Sequence, residues 1–165
     1  MAAQEGHLEC IRTLLEAKAD VQQRRNDYAT ALHGAVRNKQ HEAARVLLEA
    51  GADVEERSET YDTTLLLAVF SGHMPSVRLL LAYKADVEAE NSQGEFPFSV
   101  AVHNGDLACI DVLATSKANI SRAVAASGMT GLHVAVLRNS SDVLYELLEL
   151  RYVLACVFAC VSWVR

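Results

Sequence analysis

The side chains best suited to metal binding or nucleophilic chemistry in this sequence are six histidines (His7, His33, His41, His73, His103 and His133) and four cysteines (Cys10, Cys109, Cys156 and Cys160). A structural zinc site needs four such ligands, normally as two closely spaced pairs. His103 lies near Cys109, but no second pair accompanies them. Cys156 and Cys160 would share one face of a helix, yet their neighbours Val157, Phe158, Ala159 and Val161 are apolar. A reactive thiolate wants an electropositive, partly exposed setting, so these read as buriable thiols. The acidic pair Glu55-Glu56 reads as solvated charge beside a loop. The patterns Gly-x-Ser-x-Gly, Gly-x-Gly-x-x-Gly, His-Glu-x-x-His and the phosphate-binding Gly-Lys loop do not occur. The sequence therefore predicts no enzyme, no cofactor and no metal.

Charge and composition narrow the partners. The formal net charge is −6 and no run of Lys or Arg appears, whereas a phosphate-binding face needs clustered cations. Nucleic acid is not an expected partner. No apolar run reaches the roughly 20 residues of a membrane span, and the first residues, Met-Ala-Ala-Gln-Glu-Gly-His, lack a signal-peptide pattern. With no disulfide framework in the cysteine spacing, a cytoplasmic location is expected, the nucleus being also open.

What positions these residues is a repeat. Ala-Asp-Val occurs at Ala19-Asp20-Val21, Ala52-Asp53-Val54 and Ala85-Asp86-Val87, a step of 33 residues, and the same step reaches Ala118-Asn119-Ile120. Leu14-Leu15, Leu47-Leu48 and Leu80-Leu81 keep that step, and Gly6-His7, Gly72-His73 and Gly105 fall on multiples of it. Within a period the apolar spacing is helical: Ala31, Leu32, Ala35 and Val36 mark one short face, and Ala44, Val46, Leu47 and Leu48 a second. The polar stretch Asn38-Lys39-Gln40 separates them. Thr30, Thr63 and Thr130 carry the oxygen wanted at a helix N-cap. Pro75 and Pro97 stand where a first turn has no use for an N–H. Gly51 suits the left-handed residue that ends a helix. Each period reads as helix, turn, helix and extended loop, so the expected class is all-α.

Thr30-Ala31-Leu32-His33 and Thr130-Gly131-Leu132-His133, with the recurring Gly-His, the Leu pairs and Gly51-Ala52-Asp53-Val54, resemble the ankyrin repeat, whose pattern runs Thr-Pro-Leu-His-x-Ala, Gly-His, Leu-Leu and Gly-Ala-Asp-Val. The resemblance covers residues 2–149: a first unit without its opening helix start, three complete units and a fifth that stops early. It implies an ankyrin-repeat solenoid of stacked helix-turn-helix units with hairpin-like loops over 1–150, then a divergent apolar tail over 151–165. It also makes His33 and His133 structural hydrogen-bonding positions, and His7 and His73 parts of a turn. Several places depart from the pattern. Lys18, Lys84 and Lys117 replace the Gly after the second helix. Tyr28 and Tyr61 replace the loop Gly, which predicts distorted loop tips. Phe96-Pro97-Phe98-Ser99 lacks both Thr and His, and an extra residue near Ser121–Val124 lengthens the fifth step to 34.

Such units bury their apolar faces only against neighbours, through Ala35, Leu47, Leu65, Ala68, Leu80, Ala101 and Leu113. The resemblance implies a scaffold that binds another protein on the concave surface of loop tips and first-helix ends. By register that surface holds Asn26, Asp27, Arg37 and Asn38; then Glu59, Thr60, Asp62, Phe70 and Ser71; then Ser92, Gln93, Glu95, His103 and Asn104. Phe70 is the one large apolar residue in this set. The alternative is a regulatory or targeting segment of a larger multidomain enzyme or channel, and the start in mid-repeat suggests a fragment of something longer. The tail runs apolar from Val153 to Val164 where a terminal unit should turn a polar face outward. It reads as the divergent end of a longer protein and an aggregation hazard; the other reading is a capping or partner-docking helix.

Overall fold

The computed structural model describes residues 1–124 and 127–150; the tail at 151–165 lies outside them. Among the described residues there are ten helices and no strand: α1 (Ala2–Glu5), α2 (Leu8–Glu16), α3 (Ala31–Arg37), α4 (His41–Glu49), α5 (Thr64–Phe70), α6 (Met74–Ala82), α7 (Pro97–Asn104), α8 (Leu107–Thr115), α9 (Gly131–Leu137) and α10 (Ser141–Glu149). They form two compact units, divided between Asp86 and Val87.

In the first unit α1 pairs with α2, α3 with α4 and α5 with α6; first helices stack on first helices, and second on second. Leu32, Ala35, Val36, Leu47, Leu65, Ala68 and Leu80 are buried here. The second unit repeats the scheme with α7 on α9 and α8 on α10, around Phe96, Phe98, Ala101, Ile110 and Leu113. All seven residues expected at the interfaces are in the core. Gly131 shows how tightly the second unit packs: a Cβ there would lie 3.3 Å from Val102 and 3.4 Å from Phe98. The bulk of Phe98 is accommodated by the absence of a side chain opposite.

The first helices begin as the caps predict. The Thr30 N–H donates to Nδ1 of buried His33 at 3.2 Å, with the Thr30 hydroxyl 2.9 Å from the same nitrogen, and Thr130 with His133 repeats this at 3.2 and 2.8 Å. An Nδ1 that accepts leaves the imidazole proton on Nε2. The Nε2 edge of His33 faces the main-chain carbonyls of Glu56 and Asp62 without an ordinary hydrogen bond. Burial holds this imidazole below the usual 6.5, with the two carbonyls opposing the shift. In α5 Thr63 Oγ1 accepts from the Leu66 N–H at 3.3 Å. In α7 Ser99 stands in for the histidine. Its Oγ accepts the Phe96 N–H at 3.0 Å and donates back to the Phe96 carbonyl at 2.7 Å.

Thirteen described residues have a left-handed backbone, and they occupy three positions of the period. Gly6, Lys39, Gly72, Gly105 and Asn139 end first helices; Lys18, Gly51, Lys84 and Lys117 end second helices; Tyr28, Tyr61, Gly94 and Gly128 sit at loop tips. The tips with tyrosine are not distorted, contrary to expectation. Tyr28 at φ 57° and Tyr61 at φ 62° adopt the conformation of Gly94 at 74°. Their N–H groups close the same turn, on Arg25 and Ser58 at 3.1 and 2.9 Å, as Gly94 does on Asn91 at 3.0 Å. The side chain yields to the turn, and the strain is carried in φ. The extra residue also moves. Arg25 pairs with Ala29, Ser58 with Asp62 and Asn91 with Glu95, but Val124 pairs with Met129, one residue farther on. The insertion thus falls between Val124 and Met129, inside the loop tip rather than before it.

Glu55 and Glu56 are not merely solvated. Glu55 accepts the Asp86 N–H at 2.7 Å, Glu88 one period on accepts that of Asn119 at 2.5 Å, and Glu56 pairs with Arg24 at 2.7 Å. Each carboxylate ties one loop to the next within its unit.

Candidate functional site

The loop tips and first-helix ends are built from self-satisfied turns that leave a few side chains over. In the first unit the Glu59 N–H donates to the Asp27 carbonyl at 3.1 Å, so successive tips are joined through the main chain. Asp27 Oδ1 accepts the Ala29 N–H at 3.3 Å and lies 3.7 Å from Arg25. Thr60 donates to Asp62 at 2.5 Å, and the Ser58 hydroxyl is 2.9 Å from that of Thr60. Asn38 donates to the Gly34 carbonyl at 2.8 Å and Ser71 to that of Ala68 at 2.9 Å, each satisfying the last turn of its helix. Asp27, Thr60, Asp62, Asn38 and Ser71 are therefore occupied in holding the scaffold. Asn26, Arg37, Glu59 and Phe70 extend into solvent. Thr64 through Val69 of α5 are all buried, but the next residue, Phe70, is 44% exposed.

In the second unit Asn91 organises the tip. Its Oδ1 accepts from the Gln93 and Glu95 N–H groups, both at 3.0 Å, and its amide donates to the Glu95 carboxylate at 3.0 Å. Ser92, Gln93, His103 and Asn104 are exposed, with His103 Nε2 3.3 Å from the Arg138 guanidinium. Arg122 went unnoticed in the sequence. It bonds the Glu88 carbonyl at 2.8 Å and carboxylate at 2.9 Å, also pairs with Glu90, and sets its guanidinium 4.8 Å from the Phe96 ring centre. Nothing in the repeat pattern marks an arginine there.

Tyr28 and Tyr61, 55% and 59% exposed, stand on the same tips as Asn26, Asp27, Glu59 and Thr60. They were expected only as loop substitutions. The signal was present: a large ring at a position that asks for glycine serves nothing in the turn.

The histidines and cysteines disperse into structural settings. The His41 and His73 rings meet at a tilt of 52° with centres 5.7 Å apart, and His73 Nδ1 is 2.9 Å from the Ser76 hydroxyl. Partial burial, then the neighbouring His41 and Lys39, hold His73 below the ordinary 6.5. Cys109 is buried, and desolvation beside Asp106 pushes its thiol up to about 12, the opposite of a nucleophile's environment. Cys10 is exposed. Among the described residues no three His, Cys, Asp or Glu side chains gather as a metal site, and no helix is long and apolar enough to cross a membrane. Cys156 and Cys160 lie outside the described residues.

The sequence pattern of the ankyrin repeats, in three copies, matches residues 1–58 and 65–155. The chain belongs to the ankyrin repeat family. Ankyrin repeats are generally protein–protein interaction modules and are typically non-catalytic. No significant match is found among curated proteins. Within this ankyrin protein, the period that defines the family also fixes which residues the scaffold consumes and which it leaves exposed.

Proposed function

We propose that the protein is an interaction scaffold whose loop tips and first-helix ends bind a partner protein. The observation that carries this reading is Phe70, an aromatic left open at the end of a helix whose other residues are buried. At 44% exposure it forgoes part of the about 1.5–3 kcal/mol that full burial of such a side chain contributes. Ser71 follows it in the chain and Arg37 and Asn38 hold the same two positions one period earlier, and an aromatic with a polar surround is the usual make-up of a binding hot spot. Tyr61 and Tyr28 at the tips support the same surface. The charges are mixed, Arg37 against Asp27, Glu59 and Asp62, so steering by a uniformly charged partner is not expected.

The second unit offers Ser92, Gln93, His103 and Asn104 at the same register positions, a set with no large apolar group. A pull-down with the purified chain identifies the partner, and matched isotherms then test the site. Phe70→Ala weakens binding by more than about 1 kcal/mol, whereas Arg12→Ala, on exposed α2, leaves it unchanged. Equal affinities for the two variants, both shown to be folded, would place the site elsewhere.

A further inference from the structure

Tyr28 and Tyr61 hold one register position on the two loop tips of the first unit, and both rings stand in solvent. Gly94 reaches the same left-handed backbone on the next tip, so the turn itself asks for no ring. Neither phenol meets a cation or another ring among the described residues. The two tips are joined by the Glu59 N–H on the Asp27 carbonyl at 3.1 Å, a bond made next to Tyr28 and two residues before Tyr61.

Most charges of this edge are engaged. Arg25 lies 3.7 Å from Asp27, Arg57 bonds the Tyr61 carbonyl at 3.4 Å, and Asp62 accepts from Thr60 at 2.5 Å. Glu59 is exposed, and its carboxylate has no hydrogen bond or ion pair among the described residues. Three carboxylates (Asp27, Glu59 and Asp62) against two guanidinium groups (Arg25 and Arg57) leave the edge one negative charge in excess. The face of an aromatic ring attracts a cation, and an unpaired carboxylate attracts the same ligand. An apolar partner group would cover the rings but strip Glu59 of water without replacing it. Among cations a guanidinium suits the edge best: it is planar and weakly hydrated, and it can lie on a ring while its N–H groups reach a carboxylate. The matching tip of the second unit has neither feature, since Gly94 has no ring and the Glu95 carboxylate takes the Asn91 amide at 3.0 Å.

We propose that the joined tips of the first unit receive an arginine of the partner protein, its guanidinium laid on the exposed tyrosine rings and paired with Glu59. The inference rests on the protein-binding reading above and adds the chemistry of one partner residue. Its test needs no partner. A blocked Gly-Arg-Gly peptide is titrated into the isotope-labelled full chain at constant ionic strength, followed by amide resonances. The counterpart with citrulline, the neutral isostere of arginine, is the control. The amides of Tyr28, Glu59 and Tyr61 should shift saturably with the arginine peptide, and the citrulline peptide should bind at least about fivefold more weakly. Tyr61→Gly and Glu59→Gln should each weaken the arginine peptide by about two- to fivefold, the factor an exposed cation–π contact or ion pair contributes. Unmoved resonances elsewhere report the fold, and Glu59→Gln keeps the test decisive if Tyr61→Gly disturbs it. Tip amides that ignore the arginine peptide, equal affinity for the citrulline peptide, or affinities unchanged in the folded variants would overturn the proposal. Such a result with Phe70→Ala still weakening the partner removes the arginine alone, whereas equal affinities for Phe70→Ala and Arg12→Ala remove the surface it rests on.

Discussion

The thirteen left-handed residues allow backbone strain to be tested apart from packing. Lys84 has φ 64° and Gly51, one period earlier, φ 89°, and both end a second helix of the first unit. A left-handed L-residue costs about 1–2 kcal/mol. Glycine removes that strain but gives the unfolded chain about 0.5–1 kcal/mol of additional freedom. Replacing Lys84 also removes a cation from a helix C-terminus, worth about 0.3–1 kcal/mol. Lys84→Gly and Lys84→Ala lose that charge equally, so their difference isolates the backbone: Lys84→Gly should be the more stable by about 0.5–1 kcal/mol. Gly51→Ala runs the other way. An added Cβ at Gly51 meets no atom within 4 Å, so its loss of about 1 kcal/mol would be conformational alone. Ala50, at φ −81°, is the control, because Ala50→Gly relieves no strain and should lose about 0.5–1 kcal/mol. Urea titration of the four variants gives the differences from midpoints at constant slope. Lys84→Ala as stable as Lys84→Gly, together with a neutral Gly51→Ala, would refute the argument.

Two further outcomes rest on burial. Leu80, fully buried in α6, should lose about 2–5 kcal/mol on conversion to Ala, through lost contacts and a residual cavity; exposed Arg78→Ala on the same helix should change stability by under about 0.5 kcal/mol, and similar urea midpoints for both would contradict this assignment. Stability should fall as pH drops below the ordinary histidine value of 6.5, because the unfolded chain takes up a proton there that buried His33 resists. His33→Asn should be less stable at neutral pH but lose less on acidification; urea midpoints falling equally with pH in both chains would remove His33 as the cause.

The repeat was legible because its markers are small and local. A triplet, a leucine pair and a threonine cap recur at 33 residues, and each does its work within one or two turns of chain. The seven interface residues followed from register alone, since helical spacing names the inward face. What escaped the sequence was long-range or conformational. Glu55 bonds an N–H 31 residues away, and Arg122 reaches back to Glu88; neither tie leaves a mark in local spacing. The tyrosine tips were misjudged for a different reason. A substitution that breaks the family pattern invites a distorted loop, but the turn's hydrogen bonds recur unchanged and only the strain differs.

That same distinction separates scaffold from surface in the candidate site. Asp27, Thr60, Asp62, Asn38 and Ser71 were selected by register as surface residues, yet each closes a hydrogen bond of the turn or helix end that carries it. Replacing any of them changes the shape of the tip as well as its chemistry, so a loss of binding there would be ambiguous. Asn26, Arg37, Glu59 and Phe70 can change without disturbing those bonds, and Tyr28 and Tyr61 can become glycine with the turn preserved. On the proposed surface the free set is where partner specificity can vary on an unchanged repeat. A scaffold held by bonds of its own leaves such side chains open to change, which is how one fold can serve unrelated partners.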